Sequence, residues 1–295
     1  MNIVITGGSG FVGSYLCEKL INDGHEIIVV DNLLTGSTEN INHLMHNENF
    51  SFIEHDVQNH IEIENKVDYV LHFASAASPK AYTEHPVNTL KAGSVGTINT
   101  LGLAKKHDAE YLLASTSEVY GDPLISPQTE EYWGNVNPNG ERSMYDEAKR
   151  FAEAAVATYS RSYDLKTKIV RIFNTYGPRM QLNDGRVVTN FIVQALKNEN
   201  ITIYGDGSQT RSFSYVEDTV AGIISLMNSS EYDVFNIGNP NEMTVGQLAE
   251  KIIELTDSTS EIKYLELPND DPKQRKPDIT KAKTKLNWEP KVNLE

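Results

Sequence analysis

Tyr145 and Lys149 stand four residues apart in the run Tyr145-Asp146-Glu147-Ala148-Lys149. On a helix that spacing puts both side chains on one face. An ammonium near a phenol favours the phenolate, so the Tyr145 pKa is expected to fall. Such a tyrosine can take a proton from a substrate hydroxyl while hydride leaves the same carbon. Alone, the spacing also describes an ordinary helix face. A second group lies upstream, in Ser115-Thr116-Ser117-Glu118-Val119-Tyr120-Gly121. Its small hydroxyl residues could hold a substrate hydroxyl and the tyrosine. Glu118 is an acid–base candidate, or else a plain helix-start carboxylate.

Thr6-Gly7-Gly8-Ser9-Gly10-Phe11-Val12-Gly13 follows an apolar run and opens a helical pattern. Gly7 allows a tight turn, Gly10 lets backbone approach a pyrophosphate, and Gly13 lets the helix pack on the strand. The helix N-terminus adds N–H groups and a positive dipole end. Asp31 ends the next strand, 18 residues after Gly13. It can accept hydrogen bonds from ribose hydroxyls and would repel a 2′-phosphate, which favours NAD over NADP. Asn32 follows it. Asp56-Val57 could flank an adenine, although a strand-end Asp explains that pair equally well. Ala74, beyond the strand Tyr69–His72, completes the cofactor set with Phe11 and Val12.

These residues need a scaffold, and the hydropathy pattern supplies one. Strands are expected at Ile3–Thr6, Ile27–Val30, Ser51–Glu54, Tyr69–His72, Tyr111–Ala114 and Thr167–Arg171. Phe11, Val12, Tyr15, Leu16, Leu20 and Ile21 form a helical stripe. Val87–His107 and Tyr145–Tyr163 are the longest helix candidates. Strands alternating with helices imply a parallel, doubly wound α/β domain of Rossmann type. Ligands bind such sheets outside the carboxyl ends of the strands, where Ser115–Glu118 begins. After Arg171 the loops are rich in Gly, Pro, Asn and Asp, and helical stripes persist at Val187–Lys197, Thr219–Met227 and Val245–Leu255. The expected division is a dinucleotide-binding domain over 1–172, to which 212–238 returns, and a smaller substrate-binding lobe mainly over 173–295. By composition, Pro268–Pro277 reads as a solvated connector.

Composition excludes several classes. The 295 residues carry 26 Lys+Arg against 41 Asp+Glu, a net charge of −15, so no nucleic-acid partner is expected. No run of about 20 apolar residues suggests a membrane span. Cys17 is the single cysteine, and no cluster has metal-ligand spacing, so no metal is expected. His72, beside an apolar strand, reads as a packed histidine. Met1 leads directly into a strand with no signal-peptide pattern, and the expected compartment is the cytoplasm.

The glycine loop, the Ser115–Gly121 segment and the Tyr145/Lys149 pair together resemble the extended short-chain dehydrogenase/reductases that act on nucleotide sugars. Further stretches narrow the resemblance to UDP-glucuronate decarboxylases. They are His72–Pro79, Leu113–Pro123, Arg171–Met180, Asn183–Val188 and Arg275–Ile279. The resemblance implies NAD as a regenerated cofactor, UDP-glucuronate as substrate and UDP-xylose as product. It implies that Thr116 and Tyr145 contact the sugar C4 oxygen, with Lys149 as partner and holder of the nicotinamide ribose. It implies that Glu118 sits near C5, that Arg275 acts where carbon dioxide leaves, and that Ser117 stands where dehydratases carry Asp. Asn174, Arg179, Arg186 and Arg211 would bind the UDP moiety, with Tyr204 against the uracil. The rivals on this fold are a nucleotide-sugar 4,6-dehydratase, a 4-epimerase and, outside catalysis, a dinucleotide-binding sensor. The family's homodimers imply that Val87–His107 and Tyr145–Tyr163 pair across a two-fold axis as a four-helix bundle. Family members usually continue into a final amphipathic helix beyond the point where this chain stops.

Overall fold

The computed structural model describes residues 1–266 and 274–294. β1 (Asn2–Thr6) leads into α1 (Phe11–Asn22) and β2 (Glu26–Asp31). β3 (Phe50–Glu54) and β4 (Tyr69–His72) follow, then α2 (Pro79–Glu84), α3 (Pro86–Lys91), a π turn over Ala92–Gly96 and α4 (Thr97–His107). β5 (Glu110–Thr116), α5 (Ser143–Tyr163) and β6 (Thr167–Ile172) come next. The second half comprises β7 (Thr175–Tyr176), α6 (Val187–Leu196), β8 (Ile201–Tyr204), β9 (Thr210–Ser212), β10 (Ser214–Tyr215), α7 (Val216–Asn228), β11 (Val234–Ile237), β12 (Glu242–Thr244), α8 (Val245–Leu255), β13 (Ile262–Leu265), β14 (Gln274–Arg275) and α9 (Thr280–Leu286).

Seven parallel strands form one sheet in the order β3-β2-β1-β4-β5-β6-β11. The strands are apolar on both faces because helices cover both faces. Ile3, Ile5, Val29 and Leu71 pack with Leu16, Leu20 and Ile223 on one side. Val4, Val30, Val70, Tyr111 and Leu113 pack with Leu101, Ala152 and Val156 on the other. Strand order reverses between β1 and β4, which opens a crevice at their carboxyl ends.

Around this sheet, two elements differ from the sequence expectation. The helix expected over Val87–His107 divides into α3, a π turn and α4. Its glycines sit where neighbours come close. A Cβ on Gly93 would lie 2.7 Å from Ala148 Cβ, and one on Gly96 would lie 2.7 Å from Val57 Cγ2. β11 was absent from the expected strands, because Asn236 interrupts its apolar run; that amide is buried and donates to Gln128 O and Asp278 O. The strand closes the sheet by pairing with β6.

The smaller lobe has its own apolar cluster of Phe191, Ile201, Ile203, Phe213, Leu248 and Ile252, built from α6, α8 and β8. Its β9 is the centre of a three-stranded sheet, β12-β9-β14. β14 runs parallel to β9 with Arg275 opposite Arg211. The solvated-connector reading fails at that point, because Arg275 is only 1% exposed. Strand pairing and ion pairing supply what composition could not show. Residues 268–273 of that stretch lie outside the described residues. Among the described residues no helix is long and apolar enough to cross a membrane. Among them no group of three or more His, Cys, Asp or Glu is placed to hold a metal ion.

Candidate active site

A cleft of about 1210 Å³ runs from the carboxyl ends of β1, β4 and β5 to the smaller lobe. At one end stands the glycine loop. Gly7 has φ +73°, and a Cβ there would lie 2.7 Å from Ala74 N. A Cβ on Gly13 would lie 2.2 Å from Gly7 O, so the first turn of α1 can rest on the loop only without one. Gly10 is the N-cap of α1 and offers no side chain to its first N–H groups. Those donors, and the dipole end they mark, suit a diphosphate.

Asp31 closes β2 beside this loop. Its Oδ2 accepts from Ser9 N at 3.0 Å and its Oδ1 from Leu33 N at 2.9 Å. Burial raises its pKa, and these backbone bonds oppose that rise. Asn32 Nδ2 donates to Asp56 Oδ2 at 3.0 Å, which ties the ends of β2 and β3 together. Ala74 N donates to Thr6 Oγ1 at 3.3 Å, across the strand reversal. Phe11, Val12, Asp31, Asn32, Asp56, Val57 and Ala74 all line the cleft. Glycine cradle, uncapped helix end and strand-end carboxylate fit a dinucleotide with free ribose hydroxyls.

Tyr145 and Lys149 project from α5 toward the end of β5, and both are buried. Lys149 Nζ donates to Ala114 O at 2.8 Å and lies 5.9 Å from the Tyr145 ring centroid. The expected fall of the Tyr145 pKa is not found. Burial pushes it up to about 12, opposed by a hydrogen bond with Thr116. Desolvation disfavours the phenolate more than the Thr116 hydrogen bond and the Arg186 charge favour it. Burial also lowers Lys149 to about 8, against the pull of Glu153. Glu153 is one turn further along α5 and accepts from Ser115 Oγ at 2.5 Å. It also pairs through both oxygens with Arg171 of β6, at 2.9 and 2.7 Å. That fork locks α5 against β5 and β6, and so fixes the height of Tyr145 and Lys149.

Glu118 occupies the turn after β5. Arg275 reaches it from the smaller lobe, donating from Nη2 to Glu118 Oε2 at 3.1 Å and from Nη1 to Ser117 O at 2.7 Å. Arg142, just before α5, hydrogen-bonds the same oxygen of Glu118. Burial works against ionisation of Glu118, but Arg275, Arg142 and Arg211 outweigh it and hold the carboxyl below the usual glutamate value.

Asn174, Arg179, Arg186, Tyr204 and Arg211 line the same cleft. Arg211 stands on β9 and Tyr204 ends β8, where it is half-exposed. Arg186 is the N-cap of α6, with Nε 3.5 Å from Asp184 Oδ2. Arg179 lies furthest toward the glycine loop. It meets Glu18 Oε2 at 2.6 Å, donates to Ser14 Oγ at 3.3 Å, and lies 4.3 Å over the Tyr15 ring. His72 is the packed histidine expected. It bonds Thr6 Oγ1 at 2.7 Å, and burial lowers its pKa to about 3.

Sequence reasoning missed Arg142, Asp146 and Tyr82. Tyr82 stacks on Tyr145, with centroids 5.2 Å apart. Arg142 Nε lies 3.8 Å from Asp146 Oδ2. The available signal was helical spacing: Arg142 precedes Tyr145 by three residues and Asp146 by four. Nothing local announces Tyr82.

The family model described as GDP-mannose 4,6 dehydratase matches residues 4–295. "UDP-glucuronic acid decarboxylase 1" of Xenopus tropicalis is 54% identical over 293 residues, which cover 99% of this chain and 69% of that protein. Among solved structures, the UDP-glucose 4-epimerase of Thermotoga maritima with UDP-glucose superposes with a TM-score of 0.91. It is 34% identical, over 100% of this chain and 95% of that one. The UDP-glucuronic acid 4-epimerase of Bacillus cereus, in complex with UDP-glucuronic acid and NAD, gives a TM-score of 0.87. It is 26% identical, over 100% and 95% of the two chains. Glycine loop, Tyr-Lys helix and full-length identity agree: the chain belongs to the extended short-chain dehydrogenase/reductases of the GDP-mannose 4,6 dehydratase type, and among them to the UDP-glucuronic acid decarboxylases.

Proposed function

We propose that this chain converts UDP-glucuronate to UDP-xylose with NAD held at the glycine-loop end of the cleft. The observation that carries the reading is the buried Arg275–Glu118 pair, next to the Thr116–Tyr145 pair. Gly7, Gly10, Phe11, Val12, Gly13, Asp31, Asn32, Asp56, Val57 and Ala74, with Tyr145 and Lys149, would hold the dinucleotide. When bound, that group would take a hydride from sugar C4 and later return it, and its oxidised ring would supply the positive charge Tyr145 lacks.

Tyr145 takes the proton of the C4 hydroxyl, and Thr116 shares that oxygen. Lys149 steadies the phenolate. A ketone at C4 stands β to the C6 carboxylate, so loss of carbon dioxide leaves its electron pair as an enolate. Arg275 and Glu118 face that end of the sugar. Arg275 orients the carboxylate, and Glu118 lies where C5 must gain a proton. Ser117 adds no charge. An acid there would serve a departing hydroxyl and would repel the substrate carboxylate. Asn174, Arg186 and Arg211 bind the UDP moiety with Tyr204 against its base, and Arg179 joins them from the α1 side.

The Bacillus cereus complex favours a second reading, 4-epimerisation of the same sugar. Mass spectrometry after incubation with UDP-glucuronate and NAD separates the two. A product lighter by carbon dioxide supports decarboxylation, and a product of unchanged mass supports epimerisation.

We also read 1–172, joined by 212–238, as the dinucleotide-binding domain and 173–295 as mainly the substrate lobe. The separate apolar clusters and the seating of β11 support this, although Ile279 and Trp288 pack with the sheet. A homodimer through α3–α4 and α5 is supported by the exposed apolar residues Val87, Leu90, Val95, Ile98 and Phe151 on those elements. The single cysteine, reduced and buried, supports the cytoplasm as compartment.

A further inference from the structure

We infer that Glu18 is a positioning residue that holds Arg179 against the dinucleotide end of the cleft, so that the reduced cofactor stays bound until its hydride returns to C4. The inference rests on the NAD-dependent decarboxylase reading. The strap 177–182 follows β7 and grips the dinucleotide side at two places. At α1, Tyr15 OH donates to Pro178 O at 3.4 Å, and Arg179 donates to Glu18 Oε2 at 2.6 Å and to Ser14 Oγ at 3.3 Å. Beyond β2, Gln181 Nε2 donates to Thr35 O at 2.9 Å, four residues past Asp31. Arg179 and Gln181 line the cleft together with Gly10 and Asp31, so the strap is part of the wall around the dinucleotide. Glu18 is outside that wall, and its effect must pass through the arginine.

Arg179 has φ +70°, a backbone conformation uncommon for a residue with a side chain, and surrounding contacts must hold it there. Its guanidinium supplies them through Glu18, Ser14 and the Tyr15 ring. Retention matters because the reaction uses one cofactor twice. A hydride leaves C4 in the first step and comes back in the last. Between them, carbon dioxide is lost and C5 gains a proton, which leaves a 4-keto pentose beside NADH. Escape of NADH at that stage closes the balance on UDP-4-keto-pentose, carbon dioxide and NADH, and no UDP-xylose forms. The side chains of the pair are 24% and 39% exposed, so its hold is modest and sensitive to salt.

The test is the dissociation rate of NADH, read from its fluorescence when NADH-loaded enzyme is mixed with excess NAD. Wild type, E18A, E18Q, R179A and E18A/R179A are compared. E18A and E18Q should release NADH about three- to fivefold faster than wild type at low salt, with the gap closing near about 1 M salt. In the R179A background, E18A should add less than about 1.5-fold, because its partner is gone. A merely structural role in α1 keeps the full effect of E18A in that background, and this result overturns the inference. Release at the wild-type rate in both E18A and E18Q overturns it too. Turnover of UDP-glucuronate gives a second readout by mass spectrometry. The ratio of UDP-4-keto-pentose to UDP-xylose should rise in E18A by about the factor seen in NADH release, and an unchanged ratio overturns the retention role. A shift in KM for UDP-glucuronate with NADH release unaltered also overturns it, placing Glu18 with substrate binding. Wild type that releases no carbon dioxide overturns the decarboxylase reading instead, while the NADH rates, measured without the sugar, still decide whether Glu18 holds the cofactor through Arg179.

Discussion

Three arginines act on one carboxylate, and their arrangement sorts the residues of this site. Glu118 stays ionised against its burial because Arg275, Arg142 and Arg211 surround it. Glu118→Ala or Arg275→Ala should cut carbon dioxide release by about 10²-fold or more while dinucleotide binding changes little, measured by turnover and by retained NAD. Equal loss of both would remove these roles. Asp146 also makes a stability prediction. Its pKa is raised by burial and by Glu118, from 3.8 to about 7, so the folded protein holds this proton more tightly than the unfolded chain does. That stabilisation is complete below pH 3.8 and lost as pH rises through about 7. The Tm of D146N relative to wild type should therefore climb between pH 4 and pH 8, and a constant difference contradicts it. Tyr145 and Lys149 were legible in the sequence because one helix carries both. The Arg142–Glu118 contact was not, because 24 residues of chain separate its partners.

At the scale of elements, the strand–loop–helix of β1 and α1 reads directly from glycine spacing, since each glycine answers a local steric demand. Gly13→Ala places a methyl 2.2 Å from Gly7 O and must push α1 off the loop. The purified variant should carry little bound NAD and melt earlier than wild type, whereas full cofactor content would contradict the packing account. β14 shows the opposite case. Two residues, Gln274 and Arg275, form it, and only pairing with β9 reveals them as strand. That register sets Arg275 opposite Arg211, so a segment that reads as solvated connector becomes a wall of the site. β11 escaped notice for a similar reason, since Asn236 breaks its apolar run and its identity as strand comes from pairing with β6.

The whole molecule carries a net charge of −15, yet its proposed substrate is an anion. The arginines of the cleft resolve this. Arg179, Arg186, Arg211 and Arg275 all line it, and their planar forks suit phosphate and carboxylate. Acidic residues outside the cleft set solubility and long-range repulsion, which salt screens. Arg186→Ala or Arg211→Ala should weaken substrate binding sharply, while charge reversal of carboxylates outside the cleft should change only the association rate, and modestly. Comparable effects from both sets would contradict this division. At the same scale, Leu90→Asp should shift the proposed dimer toward monomer in light scattering, and an unchanged mass would remove that face as the interface. The most direct measurement of the central claim is NMR of UDP-[6-13C]glucuronate turnover in D2O. The account predicts that the C6 label leaves as carbon dioxide and bicarbonate, and that UDP-xylose forms with one deuterium at C5 and protium kept at C4. A 13C label that stays on a UDP-hexuronate inverted at C4 would contradict it.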